Sequence, residues 1–121
     1  MSILRVDNFG PSAGGTTYSA RGIAKAWVHW NGTGTISIKD SENTSSLVDL
    51  GTGVAEINIS SAFDAVQYTG SAFAASGLIP TSHYEAMFYC KNTGTYFQRN
   101  HWQGTDFDLA YAGSHAFGDL A

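Results

Sequence analysis

Residues 23–39, Ile-Ala-Lys-Ala-Trp-Val-His-Trp-Asn-Gly-Thr-Gly-Thr-Ile-Ser-Ile-Lys, decide the fold class of this chain. Ala24, Ala26, Val28 and Trp30 fall on one side of a two-residue period, and Ile23, Lys25, Trp27 and His29 on the other. That is the period of a β-strand, whose successive side chains point to opposite faces. Asn31-Gly-Thr-Gly34 follows, and Asn and Gly tolerate the backbone conformations of tight hairpin turns. From Thr35 to Lys39 the alternation resumes, with Ile36 and Ile38 on the core side. The two runs predict a β-hairpin.

The same grammar repeats along the chain. Gly51-Thr-Gly53 is a turn signal, and Val54–Ser60 then places Ala55, Ile57 and Ile59 inward. Further strands are expected over 67–75 and 83–91. In the latter, Tyr84, Ala86, Phe88 and Cys90 share one face, and His83, Glu85, Met87 and Tyr89 the other. Asn92-Thr-Gly-Thr95 breaks that strand, and Tyr96 to Arg99 returns as a short partner. Phe107, Leu109 and Tyr111 alternate with Asp106, Asp108 and Ala110, which predicts one more strand. No window of ten or more residues keeps a helical period; 61–68 offers at most one turn. Seven to eight short strands predict an all-β antiparallel β-sandwich, jelly-roll-like or a flattened barrel. Residues 7–19, with Pro11 and many Gly, Ser and Thr, read as an N-terminal arm, so the expected division is an arm over 1–19 and one sandwich domain over 20–121. Trp30, Ile36, Ile38, Ile57, Ile59 and Phe88 are the expected core.

Composition narrows the function classes. Charged residues make up 13% of the 121 residues, and aromatics another 13%. Such a chain can bury enough apolar surface to offset its ordering entropy. The formal net charge is -4 and no Lys/Arg cluster occurs, which argues against nucleic acid, whose phosphates demand concentrated positive charge. Met1 to Asn8 has one Arg and no apolar run, so neither a signal peptide nor membrane insertion is expected, and synthesis is expected in the cytoplasm. Cys90 is the only cysteine, which rules out an intrachain disulfide and a cysteine metal cluster and reads as a small buried hydrophobe.

Chemistry-bearing residues are sparse. His29, His83, His101 and His115 show no zinc-ligand spacing, so no metal or other cofactor is expected. Asp106 and Asp108 would lie about 7 Å apart on one strand face. Such a pair suits calcium or glycoside hydrolysis, but it is also the ordinary solvated side of a strand. No catalytic residue is expected. The sequons at Asn31, Asn43 and Asn58 carry no weight without a secretion signal. Tyr96-Phe-Gln-Arg-Asn-His-Trp-Gln103 is the densest polar and aromatic mixture, and Tyr96, Arg99, His101 and Trp102 are the expected contacts to a receptor or surface glycan, at one end of the sandwich. Trp27 is a large indole on a mixed face; with Met87 and Tyr89 it is the expected subunit interface.

Residues 24–59, Ala-Lys-Ala-Trp-Val onward through Asn31-Gly-Thr-Gly-Thr35, Ile36 to Ser41, Ser45-Ser46, Gly51-Thr-Gly53 and Ala55 to Ile59, resemble a segment recurring in bacteriophage tail-fibre and related virion proteins. The ending His115-Ala-Phe-Gly118 resembles the close of the same proteins. Glu42 stands where that family usually has an aromatic, and Val54-Ala55 where it has an acidic and aromatic pair. The resemblance implies a non-enzymatic structural component of a virion fibre. It implies a homotrimer that joins other phage tail or baseplate proteins and contacts a host surface glycan. A lectin-like carbohydrate-binding module and a tailspike-type depolymerase are the competing readings.

Overall fold

A computed structural model describes residues 7–10, 12–19, 23–77 and 84–121, and the chain over these residues is all β. Two strands of two residues each, β1 (Asn8–Phe9) and β2 (Tyr18–Ser19), pair antiparallel inside the expected arm; the expected boundary at residue 20 and the expected strand position of His83 lie outside the described residues. Among the described residues no helix is long and apolar enough to cross a membrane.

Two antiparallel sheets make up the rest. The first contains β3 (Ala26–Asn31), β4 (Ser37–Glu42), β7 (Thr69–Ala75) and β11 (Tyr111–Phe117) in the order β4-β3-β11-β7. The second contains β5 (Thr44–Asp49), β6 (Val54–Ile59), β8 (Glu85–Asn92), β9 (Thr95–Trp102) and β10 (Thr105–Asp106). In it β6 pairs one edge of β9 and β8 the other, because Phe97 faces Glu56 on one side and Tyr89 on the other. The short β10 extends past β6, with Asp106 opposite His101.

The core lies between the sheets. Ala26, Val28 and Trp30 from β3 meet Ala55, Ile57 and Ile59 from β6, all buried, as the alternation predicts. Ile36 and Phe88 are partly buried against this cluster. Ile38 is not part of it: at 38% exposed it stands on the outer strand β4. Ile38 lies opposite buried Trp30 and so keeps the expected side, but β4 has a neighbour on one side only, which leaves the side chain open to solvent; the bulge that sets Asp40 opposite His29 makes Lys39 the extra residue.

The hairpin turns follow their residue chemistry. Asn31 Oδ1 accepts from the Thr33 backbone N–H at 2.9 Å and from its hydroxyl at 2.7 Å, closing the β3–β4 connection. Asn92 Oδ1 likewise accepts from Gly94 N–H at 2.9 Å between β8 and β9. Between β4 and β5 the chain changes sheets at Asn43, which holds a φ of 51°. Its amide donates to the Lys25 and Ser61 carbonyls, each at 3.0 Å, and its Oδ1 accepts from Ser61 N–H at 2.7 Å. At the opposite edge β7 and β8 approach closely enough that a Cβ on Gly70 would sit 2.3 Å from the Phe88 ring, so only glycine fits there.

Cys90 is a second correction. It is exposed, with its Sγ donating to the Tyr68 carbonyl at 3.0 Å: β8 is an outer strand, and its residue packed against the core cluster is Phe88.

Candidate functional site

Strand β9 organises the residues expected to make contacts. Its alternation sends Tyr96, Gln98 and Asn100 inward, all fully buried, and Phe97, Arg99 and His101 outward. Tyr96 therefore lies in the core and is removed from any contact surface. The segment 96–102 also runs through the middle of the second sheet, between β6 and β8, not at one end of the sandwich. Sequence reasoning missed this because Gln98 and Asn100 look like surface residues. Here they form a buried polar chain: Trp30 Nε1 donates to Gln98 Oε1 at 3.3 Å, and Gln98 Nε2 donates to Asn100 Oδ1 and to the Phe73 carbonyl, both at 2.9 Å. This chain ties β3, β7 and β9 across the sandwich.

Trp102 sits at the end of β9, half-buried against Tyr84 and Phe107 with ring centroids 5.9–6.1 Å apart. The structure therefore divides Tyr96, Arg99, His101 and Trp102 among the core, an outer face and an aromatic end cluster.

Arg99 and His101 share the outer face of the second sheet with Met87 and Tyr89, for Met87 is the cross-strand partner of Arg99 and Glu85 that of His101. Asp106 Oδ1 accepts from Arg99 Nε at 2.7 Å and lies 2.9 Å from His101 Nδ1. The Arg99 bond, then the His101 bond, holds the Asp106 carboxyl below its ordinary pKa. Lys91 Nζ donates to Glu56 Oε2 at 2.8 Å and lies 5.3 Å from the Phe97 ring centroid. Between these ion pairs run Val48, Val54, Phe97, Met87 and Tyr89, with Tyr89 46% exposed and its hydroxyl donating to Met87 Sδ at 3.0 Å.

The aspartates do not form the pair expected from their spacing. Asp106 ends β10, whereas Asp108 lies in the following loop and its Oδ1 accepts from Gly53 N–H at 2.7 Å. The chain leaves strand geometry after Asp106, so the two carboxylates serve separate partners. No group of three or more His, Cys, Asp or Glu able to hold a metal occurs among the described residues.

Trp27 is on the other sheet. Its cross-strand neighbours are Glu42 and His115, so it faces away from Met87 and Tyr89, and the three residues expected in one interface stand on opposite outer faces. The first sheet's outer face also carries His29, Phe73, Tyr111 and His115, a grouping that no local sequence signal announces because it draws on three strands far apart in the chain. No family model matches the chain, and neither a curated protein nor a solved structure matches it.

Proposed function

We propose that this chain is a non-enzymatic structural module of a bacteriophage tail fibre, assembling in threes with identical copies and joined to other tail or baseplate proteins in the virion. The resemblance over residues 24–59 supplies the fibre reading. Self-association rests on one observation: the outer face of the second sheet presents Val48, Val54, Met87, Tyr89 and Phe97 between the Lys91–Glu56 and Arg99–Asp106 pairs, with Glu85 at the end of β8 as the unpaired charge among the described residues. An apolar strip bordered by satisfied ion pairs can be covered at little electrostatic cost while the charge at the strand end stays at a solvated rim, which is the anatomy of a protein interface. The face is therefore assigned to a neighbouring copy, with Met87 and Tyr89 in it and Trp27 outside it.

An antibody raised against the chain should decorate fibres of purified particles in negative-stain electron micrographs. Labelling confined to capsids, or found only in particle-free lysate, would contradict the assignment.

A further inference from the structure

The outer face of the first sheet differs in kind from that of the second. Asp40, His29, Gly113 and Phe73 form one row across β4, β3, β11 and β7, and Glu42, Trp27, His115 and Ser71 the next. At the centre is Gly113, where a Cβ would lie 2.4 Å from the Phe73 ring; the missing side chain lets that ring lie across β11, and Phe73 remains 45% exposed. The neighbouring rings continue the layer. His29 is 6.0 Å from Phe73 at 47°, Tyr111 is 6.3 Å from His29 at 27°, and His115 is 6.5 Å from Phe73 at 37°. The β4 bulge turns Lys39 onto this face, its Nζ 4.6 Å from the Tyr111 ring centroid.

The polar groups between these rings are unengaged. Among the described residues, the side chains of Trp27, Tyr111, His115 and Lys39 make no hydrogen bond, and His29 Nε2 is buried without a partner. Donors (the Trp27 indole, the Tyr111 hydroxyl, Lys39) stand beside acceptors (Glu42, the second oxygen of Asp40). On the second sheet Lys91, Glu56, Arg99, His101 and Asp106 are consumed by contacts with one another and the Tyr89 hydroxyl by Met87.

We propose that this face is a saccharide-binding platform. A pyranose offers an apolar C–H face that stacks on aromatic rings and a rim of hydroxyls, each both donor and acceptor. It therefore matches rings 6.0–6.5 Å apart interleaved with unengaged donors and acceptors. The carboxylates of Asp40 and Glu42 along the β4 side oppose a phosphate-rich or nucleic-acid ligand. The inference rests on the fibre reading only for the source of the sugar, a bacterial surface polysaccharide.

The full chain is applied to an array of bacterial lipopolysaccharides and capsular polysaccharides, whose two arms separate the sources. Retention on at least one member is expected, with Trp27→Ala and Tyr111→Ala each weakening it about tenfold or more while assembled mass and melting temperature hold. His115→Ala, at an exposed position, gives the same test if the Trp27 variant misfolds. Binding by a chain that proves monomeric would leave the platform standing and overturn the assembly reading alone. Failure to bind any member overturns the proposal, as does binding indifferent to all three variants. A loss of assembled mass in Trp27→Ala or Tyr111→Ala also overturns it, because the face would then belong to a subunit interface.

Discussion

The Tyr96 hydroxyl and the Ser114 Oγ lie 2.8 Å apart, both residues fully buried, and this bond joins the start of β9 to the middle of β11 across the sandwich. Removing either partner strands the other in an apolar interior. Tyr96→Phe and Ser114→Ala should each cost about 1–3 kcal/mol, and the double variant should cost less than the sum. Urea unfolding of the three variants checks this; strict additivity would show that the two hydroxyls are not coupled.

Burial pushes the Tyr96 hydroxyl up to about 12, against an opposing effect of its Ser114 bond. In the unfolded chain it ionises near its ordinary value of about 10. The folded state holds its proton more tightly, so this contribution to stability is full below pH ~10 and lost as pH rises towards 12. The unfolding midpoint of the wild type should drop across that window. Tyr96→Phe should drop less, since it has no such proton to lose; equal slopes would mean that Tyr96 is not the group responsible.

Ile57 and Ile38 both belong to alternating runs but differ in what covers them. Ile57→Ala opens a cavity in the fully buried core and should cost about 2–5 kcal/mol, whereas Ile38→Ala on the outer strand should cost under about 1 kcal/mol. Comparable losses in thermal or urea unfolding would place Ile38 in the core after all.

The expectation for Asp106 and Asp108 is a chemical one. Neither Asp106→Asn nor Asp108→Asn should change reducing-sugar release from host polysaccharide, because the two carboxylates hold separate partners and share no site. Asp106→Asn should still be measurable at low pH. Its carboxyl titrates below the ordinary value, so the stability it contributes is present above that value and fades as pH falls, and the variant should lack that part of the acid dependence. Sugar release by the wild type that vanishes in either variant would favour a depolymerase.

Legibility in the sequence followed the size of the side chains. Strands β3 and β6 alternate large apolar residues with polar ones, and their inward faces are as read; in β8 Phe88 packs against the core but Cys90, expected beside it, is exposed. Strand β11, central in its sheet, passed unnoticed because its buried positions are Ala112, Gly113, Ser114 and Ala116, too small to mark a hydrophobic face. Strand β5 was hidden for the opposite reason: Thr-Ser-Ser-Leu-Val-Asp lies on an outer edge, mostly exposed, so alternation was never imposed on it. Of the expected contact residues, Arg99 and His101 reached a surface and Tyr96 did not, since parity along β9 was fixed by partners on both sides that local sequence does not name. The ring layer over Gly113 depends on pairing between β3, β11 and β7, a fact of topology.

Self-association is the claim on which the account turns, and the mass of the wild-type chain in solution tests it most directly. Light scattering coupled to size exclusion at micromolar concentration should return about three times the 12.9 kDa chain mass, and Tyr89→Arg, which sets an unpaired charge into the apolar strip, should lower it. A wild-type mass equal to one chain, unchanged on concentration, would contradict the account.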